Sequence, residues 1–497
     1  MRFLILITLF LSSSLSHAQM IEGRVLDFSN KEPIPYATIT YGNAQGIITN
    51  DEGTFSINSL KNPDIILTIS SLGYKTIDIP AKNLSEGPVL LQQQSIDLDE
   101  VFLSDKRLSG KEIIEHIESN YNFKLTKKRF FFRKSSLNTV DQFDIDVDRS
   151  TIAALNQALM DSITNSVSRQ HDSYLEALGD FYGNYEKQKI NLIKAADLYD
   201  PASETSITDL TKRVEDIFEK NVKKDSYFKI KSGIIGTKVE SDDLKNDPKE
   251  DSLALKEVQK ALEEREKEIA DRRKNLKAST NSDIKDLLDK TFWKEDMTFN
   301  VFEKSNKYKF EVAGFTNIDG EVAYILNFEP KGNADFKGKM YVNTVDFGVY
   351  QIDFKNVKAL KRFRLFGISQ ADNVYNGIMI YKKDATGLYN ITYMEREAGE
   401  NFGIERPLTV IEKNKHVAGR RKQNELDMDI AFKMSMVSKF QLVIYENKPV
   451  NDTEYSNVEE IENFDFQKFK KYNPDFWEGY NIIEPNTAIK AFTLSEE

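Results

Sequence analysis

Short runs of partly alternating apolar and polar residues fill the chain between Ile21 and Leu103. IEGRVLDF, ATITY, GIIT, TFSI, IILTIS and YKTIDI read as strands. Lys31-Glu32-Pro33-Ile34-Pro35 reads as a turn, because two prolines bar a central strand. Short strands at regular spacing predict an all-β sandwich. Within it, Asn50-Asp51-Glu52-Gly53 joins GIIT to TFSI. Gly53 supplies a positive φ there, and Asn50 and Asp51 bond their own backbone. A calcium-binding EF-hand loop needs alternating Asp/Asn ligands before the glycine and a distal Glu after it, and this stretch has neither.

The period then changes. KEIIEHIESNY, residues 111–121, carries Ile113, Ile114 and Ile117 at helical spacing, with Ser109 and Glu112 placed as a capping box. KKRFFFRKSSLNTVDQFDIDV reads as a strand. Its Phe130, Phe131 and Phe132 are read as core, with a lipid-touching patch as the alternative. Asp144, Asp146 and Asp148 share one strand face, a solvated one or a cation site. Residues 150–197 read as helical up to the Asp200-Pro201 break, and Thr208 to Lys223 as a further helix. YFKIKSGIIGTKV, residues 227–239, returns to strand.

Leu255, Val258, Leu262, Arg265, Ile269, Arg272 and Leu276 form an imperfect heptad seam within a charged insertion. Glu263 with Lys267 and Glu268 with Arg272 support that helix as i,i+4 pairs. From Met297 to about Lys415 the chain reads as an antiparallel meander, with turns at Asn317-Ile318-Asp319-Gly320, Asp346-Phe347-Gly348 and Asp384-Ala385-Thr386-Gly387. Such a sheet has an apolar face that must be covered. The helices expected at 150–223 are the natural cover, and a sheet curled around them would be a half-barrel with an apolar lumen. Phe464, Phe466, Phe469, Tyr472, Phe476, Trp477 and Tyr480 mark an acidic aromatic tail, read as a docking belt or a partner-binding peptide.

Several of these residues carry a family resemblance. Gly23-Arg24-Val25, Pro33-Ile34-Pro35-Tyr36-Ala37-Thr38-Ile39, Gly46, Thr49, Gly53-Thr54-Phe55-Ser56-Ile57, Ser70, Gly73-Tyr74-Lys75 and Leu98-Asp99-Glu100-Val101 resemble the carboxypeptidase regulatory-like domain. The resemblance implies a transthyretin-like, seven-stranded sandwich that accompanies other domains in envelope proteins of the Bacteroidota type. It does not imply peptidase activity. Phe336-Lys337-Gly338-Lys339-Met340-Tyr341-Val342 with Tyr350-Gln351-Ile352 is similar to a strand pair of periplasmic lipoprotein-carrier-like folds. Asn473-Pro474-Asp475-Phe476-Trp477 through Pro485 resembles the closing segment of envelope proteins that begin with this sandwich.

Composition narrows the setting. MRFLILITLFLSSSLSHAQ has Arg2, a short apolar run and Ser16-His17-Ala18, the pattern of a signal peptide cut after Ala18. The run is too short to span a bilayer, so no transmembrane segment is expected in the mature chain. The 497 residues contain no cysteine, which excludes disulfides, thiolate metal sites and a Cys nucleophile. A net charge of -11 argues against nucleic acid as a partner.

Chemistry is sparse. His116, His171 and His416 lie far apart in the mature sequence, and no HExxH, GxSxG, SxxK or phosphate-loop motif occurs. No candidate catalytic, metal or cofactor-binding residues, and no cofactor, are assigned. Lys361-Arg362-Phe363-Arg364 and Arg420-Arg421-Lys422 are local basic clusters, either solvated or in contact with head groups or glycan phosphates.

The expectation is a mainly β protein with α insertions: a signal peptide (1–18), a β-sandwich (19–104), a helix-rich segment with flanking strands (105–241), a charged helical insertion (242–290), an antiparallel β domain (291–445) and the tail (446–497). The functional expectation is a non-enzymatic protein of the periplasm or outer-membrane surface that binds a lipid or other amphiphile, or an envelope protein. The alternatives are an assembly factor acting through the heptad helix and aromatic tail, or a hydrolase of unrecognised type.

Overall fold

The computed structural model describes residues 21–42, 45–57, 64–94, 108–117, 124–184, 186–198, 226–233, 235–240, 275–290, 297–414, 421–461 and 464–492, and positions 216–217, 220–221 and 416. The expected signal peptide and the heptad positions Leu255 to Arg272 lie outside the described residues, as does most of the helix expected at 208–223.

The N-terminal region is a seven-stranded sandwich. Its strands are β1 (Ile21–Asp27), β2 (Thr38–Tyr41), β3 (Gln45–Ile48), β4 (Thr54–Ile57), β5 (Ile66–Ser70), β6 (Ile77–Pro80) and β7 (Val89–Leu91). They form two sheets, β4-β1-β7 and β3-β2-β5-β6. Val25, Ile39, Phe55, Ile57, Leu67 and Leu91 fill the space between them. The Asn50–Gly53 stretch is a turn. The Asn50 side-chain oxygen accepts from the Glu52 and Thr54 amides at 3.0 and 2.9 Å. Gly53 sits at φ 72°, where a Cβ would lie 2.5 Å from the Val25 carbonyl oxygen.

The rest of the chain builds one large open sheet. In order come α1 (Gly110–His116), β8 (Thr126–Ser150), α2 (Gln157–Ser166), β9 (Gln170–Gly183), β10 (Gln188–Leu198), β11 (Ser226–Ser232), β12 (Ile235–Glu240) and α3 (Leu276–Asp289). Then follow β13 (Tyr308–Ile318), β14 (Glu321–Pro330), β15 (Phe336–Asn343), β16 (Val349–Asn356), β17 (Arg362–Leu365), β18 (Ile368–Lys383), β19 (Tyr389–Asn414) and β20 (Lys422–Pro449). The tail adds α4 (Asp452–Ser456), β21 (Gln467–Phe469) and α5 (Thr487–Ala491). The strand order is β13-β14-β15-β16-β18-β19-β20-β8-β9-β10-β21, with β11 on β19, β12 on β11 and β17 on β18.

One face of the base of this sheet carries the main core. Ile113 and Ile114 of α1, Ile284, Leu287 and Leu288 of α3, and Phe299 pack onto Phe130, Phe132, Leu326, Phe336, Ile352 and Leu442. The Ser109–Glu112 capping box that starts α1 is present on both sides. The glycine of the FKGKMYV strand has a packing reason. A Cβ on Gly338 would lie 1.9 Å from the Asp353 carbonyl oxygen and 2.6 Å from the Phe328 ring.

The helical reading of 150–197 holds only in part. α2 forms, but Tyr174–Leu198 is the hairpin β9–β10, in the middle of the sheet. Both faces of β9 are buried, one under the core and one under the tail, so its apolar residues run on without a period of two. Gly179 also fits a strand: it leaves room for the Phe130 ring, 2.7 Å from where its Cβ would be. The cover of the sheet's base is therefore α1, α3 and the Phe299 segment, and the space the sequence suggested as a lumen is filled by them.

Candidate functional site

β8, β19 and β20 are 25, 26 and 28 residues long, several times an ordinary strand. Only their proximal halves lie in the main core. Their distal halves continue as an arm, widened by the start of β18, by β17 and by β11 and β12.

Cross-strand register places the apolar residues of the arm on one face. One row runs Leu365, Ile368, Ile404, Phe432, Phe143. The next runs Phe363, Gln370, Phe402, Met434, Val140, and a third pairs Ile430 with Ile145. Phe143 and Phe402 both meet the Phe432 ring, at 5.6 and 6.5 Å between centroids. The four strand-interior members Phe143, Phe402, Phe432 and Met434 are half-buried, and none belongs to a buried cluster among the described residues.

This face is a trough with two ends. At the distal end α2 packs down, where Ile152, Leu155, Met160 and Leu426 form a small core with Val147 and Met428. At the proximal end α3 closes it through ion pairs. Lys134 meets Asp283 at 2.8 Å, and Arg396 meets Asp286. Burial works to raise the Asp286 carboxyl, but hydrogen bonds from Lys290 and Arg396 outweigh it and hold the group below the usual carboxylate range. The reverse face of the arm is polar: Asp144, Asp146, Asp148, Asp429 and Lys433 are all exposed.

A second constellation joins sandwich, tail and sheet on the opposite face of the sheet's base. Arg133 and Glu176, both almost fully buried, pair at 2.6 Å. The Trp477 indole N–H donates to Glu176 at 2.7 Å, and the Arg133 guanidinium donates to the Ile483 and Glu484 carbonyls at 2.7 and 3.3 Å. Beside them, Tyr36 and Tyr393 stack at 4.7 Å, and both hydroxyls donate to Glu395 at 2.8 Å. Burial, then the Glu395 carboxylate, pushes both phenols well above their ordinary range. The opening turn docks here too: Asn50 donates to the Glu484 carbonyl, Asp51 meets Lys439, and Glu52 accepts from the Thr487 amide and hydroxyl.

A third cluster sits at the turns of the β domain. Lys383 bridges Glu321 and Asp346, each at 2.8 Å, and the Tyr350 hydroxyl donates to Glu321. Lys383 and then Tyr350 hold the Glu321 carboxyl below its ordinary range. Burial, then Glu321, pushes Tyr350 up to about 12. A carboxylate held down in this way is a poor proton donor near neutral pH.

The sequence candidates fall as follows. Phe130, Phe131 and Phe132 are fully buried core, with Phe131 edge-on to Trp477 at 5.4 Å. His116 stacks on Phe347, His171 lies in β9 and His416 follows β19. Among the described residues no three His, Asp or Glu side chains are grouped to hold a metal ion. Lys361, Arg362 and Arg364 are exposed, whereas Lys422 pairs with Glu425. The tail's Trp477 and Ile483 are buried against the chain's own sheet. The reading of the sequence missed the trough itself. Its signal is the strict alternation Met428-Ile430-Phe432-Met434-Met436 facing Phe143-Ile145-Val147.

Comparison with known proteins defines the N-terminal class. Residues 21–103 match the model of the CarboxypepD_reg-like domain, so the sandwich is a domain of that kind. No curated protein matches the chain. Among solved structures, a putative outer membrane lipoprotein-sorting protein domain from Vibrio parahaemolyticus aligns at 8% identity and TM-score 0.20, covering 70% of this chain and 95% of that one. A LolA superfamily protein from Nitrosomonas europaea aligns at 8% identity and TM-score 0.18, covering 71% of this chain and 99% of that one. The MucA/MucB complex of Pseudomonas aeruginosa aligns at 5% identity and TM-score 0.15, covering 65% of this chain and 93% of that one. Among the described residues no helix is long and apolar enough to cross a membrane.

Proposed function

We propose that this chain is an exported, non-enzymatic protein of the cell envelope whose arm binds the apolar part of an amphiphile. The trough carries this reading: a five-strand apolar face rich in Phe, Ile and Met, walled by α2 and α3, with a polar and acidic back. An apolar strip of this size on one side of a single-layer sheet is a site for a partner or ligand rather than a solvated surface. Met and Phe side chains suit acyl chains of varied shape, because Met adapts its rotamers to irregular contacts. The signal-peptide pattern at 1–18 supports an envelope location.

The test is native mass spectrometry with lipid extraction on the mature chain, purified without detergent from its own envelope. Stoichiometric lipid on the wild type, lost in Phe432→Ser/Met434→Ser, is the expected result. A lipid-free wild type, or a double variant that keeps its lipid, overturns the reading.

A further inference from the structure

The β17–β18 hairpin, at the edge of the arm, has a turn that its sequence does not explain. Its two central residues are Phe366 and Gly367, at φ 47° and φ 77°. Positive φ at both positions is the twist-matched two-residue hairpin turn, and that turn favours Asn or Asp followed by Gly. Phenylalanine in the left-handed region is strained. Burial does not compensate here, because the Phe366 side chain is 49% exposed. Its neighbours Phe363 and Leu365 are exposed as well. The display is rigid: the Glu405 amide donates to the Gly367 carbonyl at 2.7 Å, and a Cβ on Gly367 would lie 2.1 Å from the Glu405 carbonyl oxygen.

Charge completes the picture. Lys361, Arg362 and Arg364 flank these apolar side chains, all three are exposed, and none forms an ion pair among the described residues. Glu405 is the exposed carboxylate beside the turn. A chain of net charge -11 thus presents three cations and three apolar side chains within six consecutive residues. Aromatic side chains enter the interfacial zone of a bilayer, while Arg and Lys meet anionic head groups with long apolar stems lying alongside.

We infer that the tip Lys361–Phe366 docks this protein onto an anionic lipid bilayer. Phe366, Phe363 and Leu365 enter the interface, and Lys361, Arg362 and Arg364 meet lipid phosphates. The inference shares Phe363 and Leu365 with the outer ends of the trough rows, but it concerns where the protein sits, not what it carries. It gives the arm an orientation, with its apolar rows opening toward the membrane edge at Leu365 and Phe363.

The experiment is co-sedimentation of the mature chain with vesicles of phosphatidylethanolamine and phosphatidylglycerol, and with phosphatidylcholine alone. The wild type pellets with the anionic vesicles and is released by salt. Each cation near an anionic surface is worth roughly a fivefold change in partition, so Arg362→Glu/Arg364→Glu lowers binding by more than about 25-fold. Phe366→Asn suits the turn, so it keeps or raises the melting temperature while lowering partition severalfold. Phe432→Ser/Met434→Ser leaves vesicle binding unchanged, which separates this proposal from the carrying role of the trough. The inference is overturned if the wild type stays in solution, if the charge-reversal variant pellets like the wild type, or if only the trough variant loses vesicle binding. Dimerisation abolished by Phe366→Asn, without vesicle binding, assigns the tip to a second copy of the chain and overturns it as well.

Discussion

β8, β19 and β20 pass through two environments, and the same strands behave differently in each. At the base, Phe130 and Phe132 lie under α1 and α3 while Phe131 lies under the tail, so both faces of β8 are sealed. In the arm, Phe143 and Ile145 share a half-buried face and Asp144 and Asp146 an exposed one. Alternation is therefore absent where the sheet is sandwiched and strict where it is one layer thick. Stability resides at the base, and the half-buried apolar face lies in the arm.

The largest test of that contrast is a matched pair. Phe132→Ala removes a fully buried ring and costs about 3–5 kcal/mol, whereas half-buried Phe143→Ala costs about 1 kcal/mol or less, both read by denaturant unfolding. Equal costs would mean that the arm is as firmly packed as the base. Glu176→Ala leaves Arg133 buried without its partner, with an expected cost of about 3–5 kcal/mol. The lost Trp477 hydrogen bond should also expose residues 451–492 to limited proteolysis, and a protease-resistant variant would contradict the strapping role.

Smaller effects follow at single polar groups of the base. Burial pushes Lys128 down to about 8, below its ordinary value of 10.5. A lysine whose folded pKa is depressed carries its full burial cost below that folded pKa. The cost is relieved as pH rises from about 8 towards 10.5. Lys128→Met should therefore flatten the alkaline rise in melting temperature, while taking from Thr126 and Asn447 the donor that Lys128 gives them. The Tyr445 hydroxyl is buried without a hydrogen-bond partner among the described residues, so Tyr445→Phe should stabilise by about 1 kcal/mol. Smallest of all, Asp144→Asn and Asp146→Asn should stay within about 0.5 kcal/mol of the wild type, as solvated positions do. A larger loss on either would reveal a role for the acidic face.

How much of this was legible in the sequence depended on exposure. The sandwich, the Ser109 capping box, the Asn50–Gly53 turn and the β13–β19 meander all have one solvated side or a specific turn residue, and their local patterns carry through. β9 and β10 do not: Tyr174–Phe181 is buried on both faces, so Leu175, Ala177 and Leu178 imitate a helix. The trough was hidden for a different reason. Its rows join residues about 300 positions apart in sequence, such as Phe143 with Phe432, and only the register of a 28-residue strand brings them together. The buried Arg133–Glu176–Trp477 set was equally silent, since Arg133 in the run KKRFFFRK looks like any other surface cation.

The tail's position also bears on the order of events during synthesis. Asn50 in the sandwich reaches the Glu484 carbonyl, 434 residues further along the chain. Lys189 and Asn191 on the edge of β10 are capped by residues 455–461, and β21 then pairs with Ala196–Leu198. Until residues 455–489 have emerged, that edge lacks these partners and the sandwich has no Trp477 or Ile483 to rest upon. Closing so long a loop is among the slowest steps open to a chain of this topology. Residues 467–489 act as a keystone: without them the N-terminal domain keeps its own fold but loses the contacts that lock it onto the sheet.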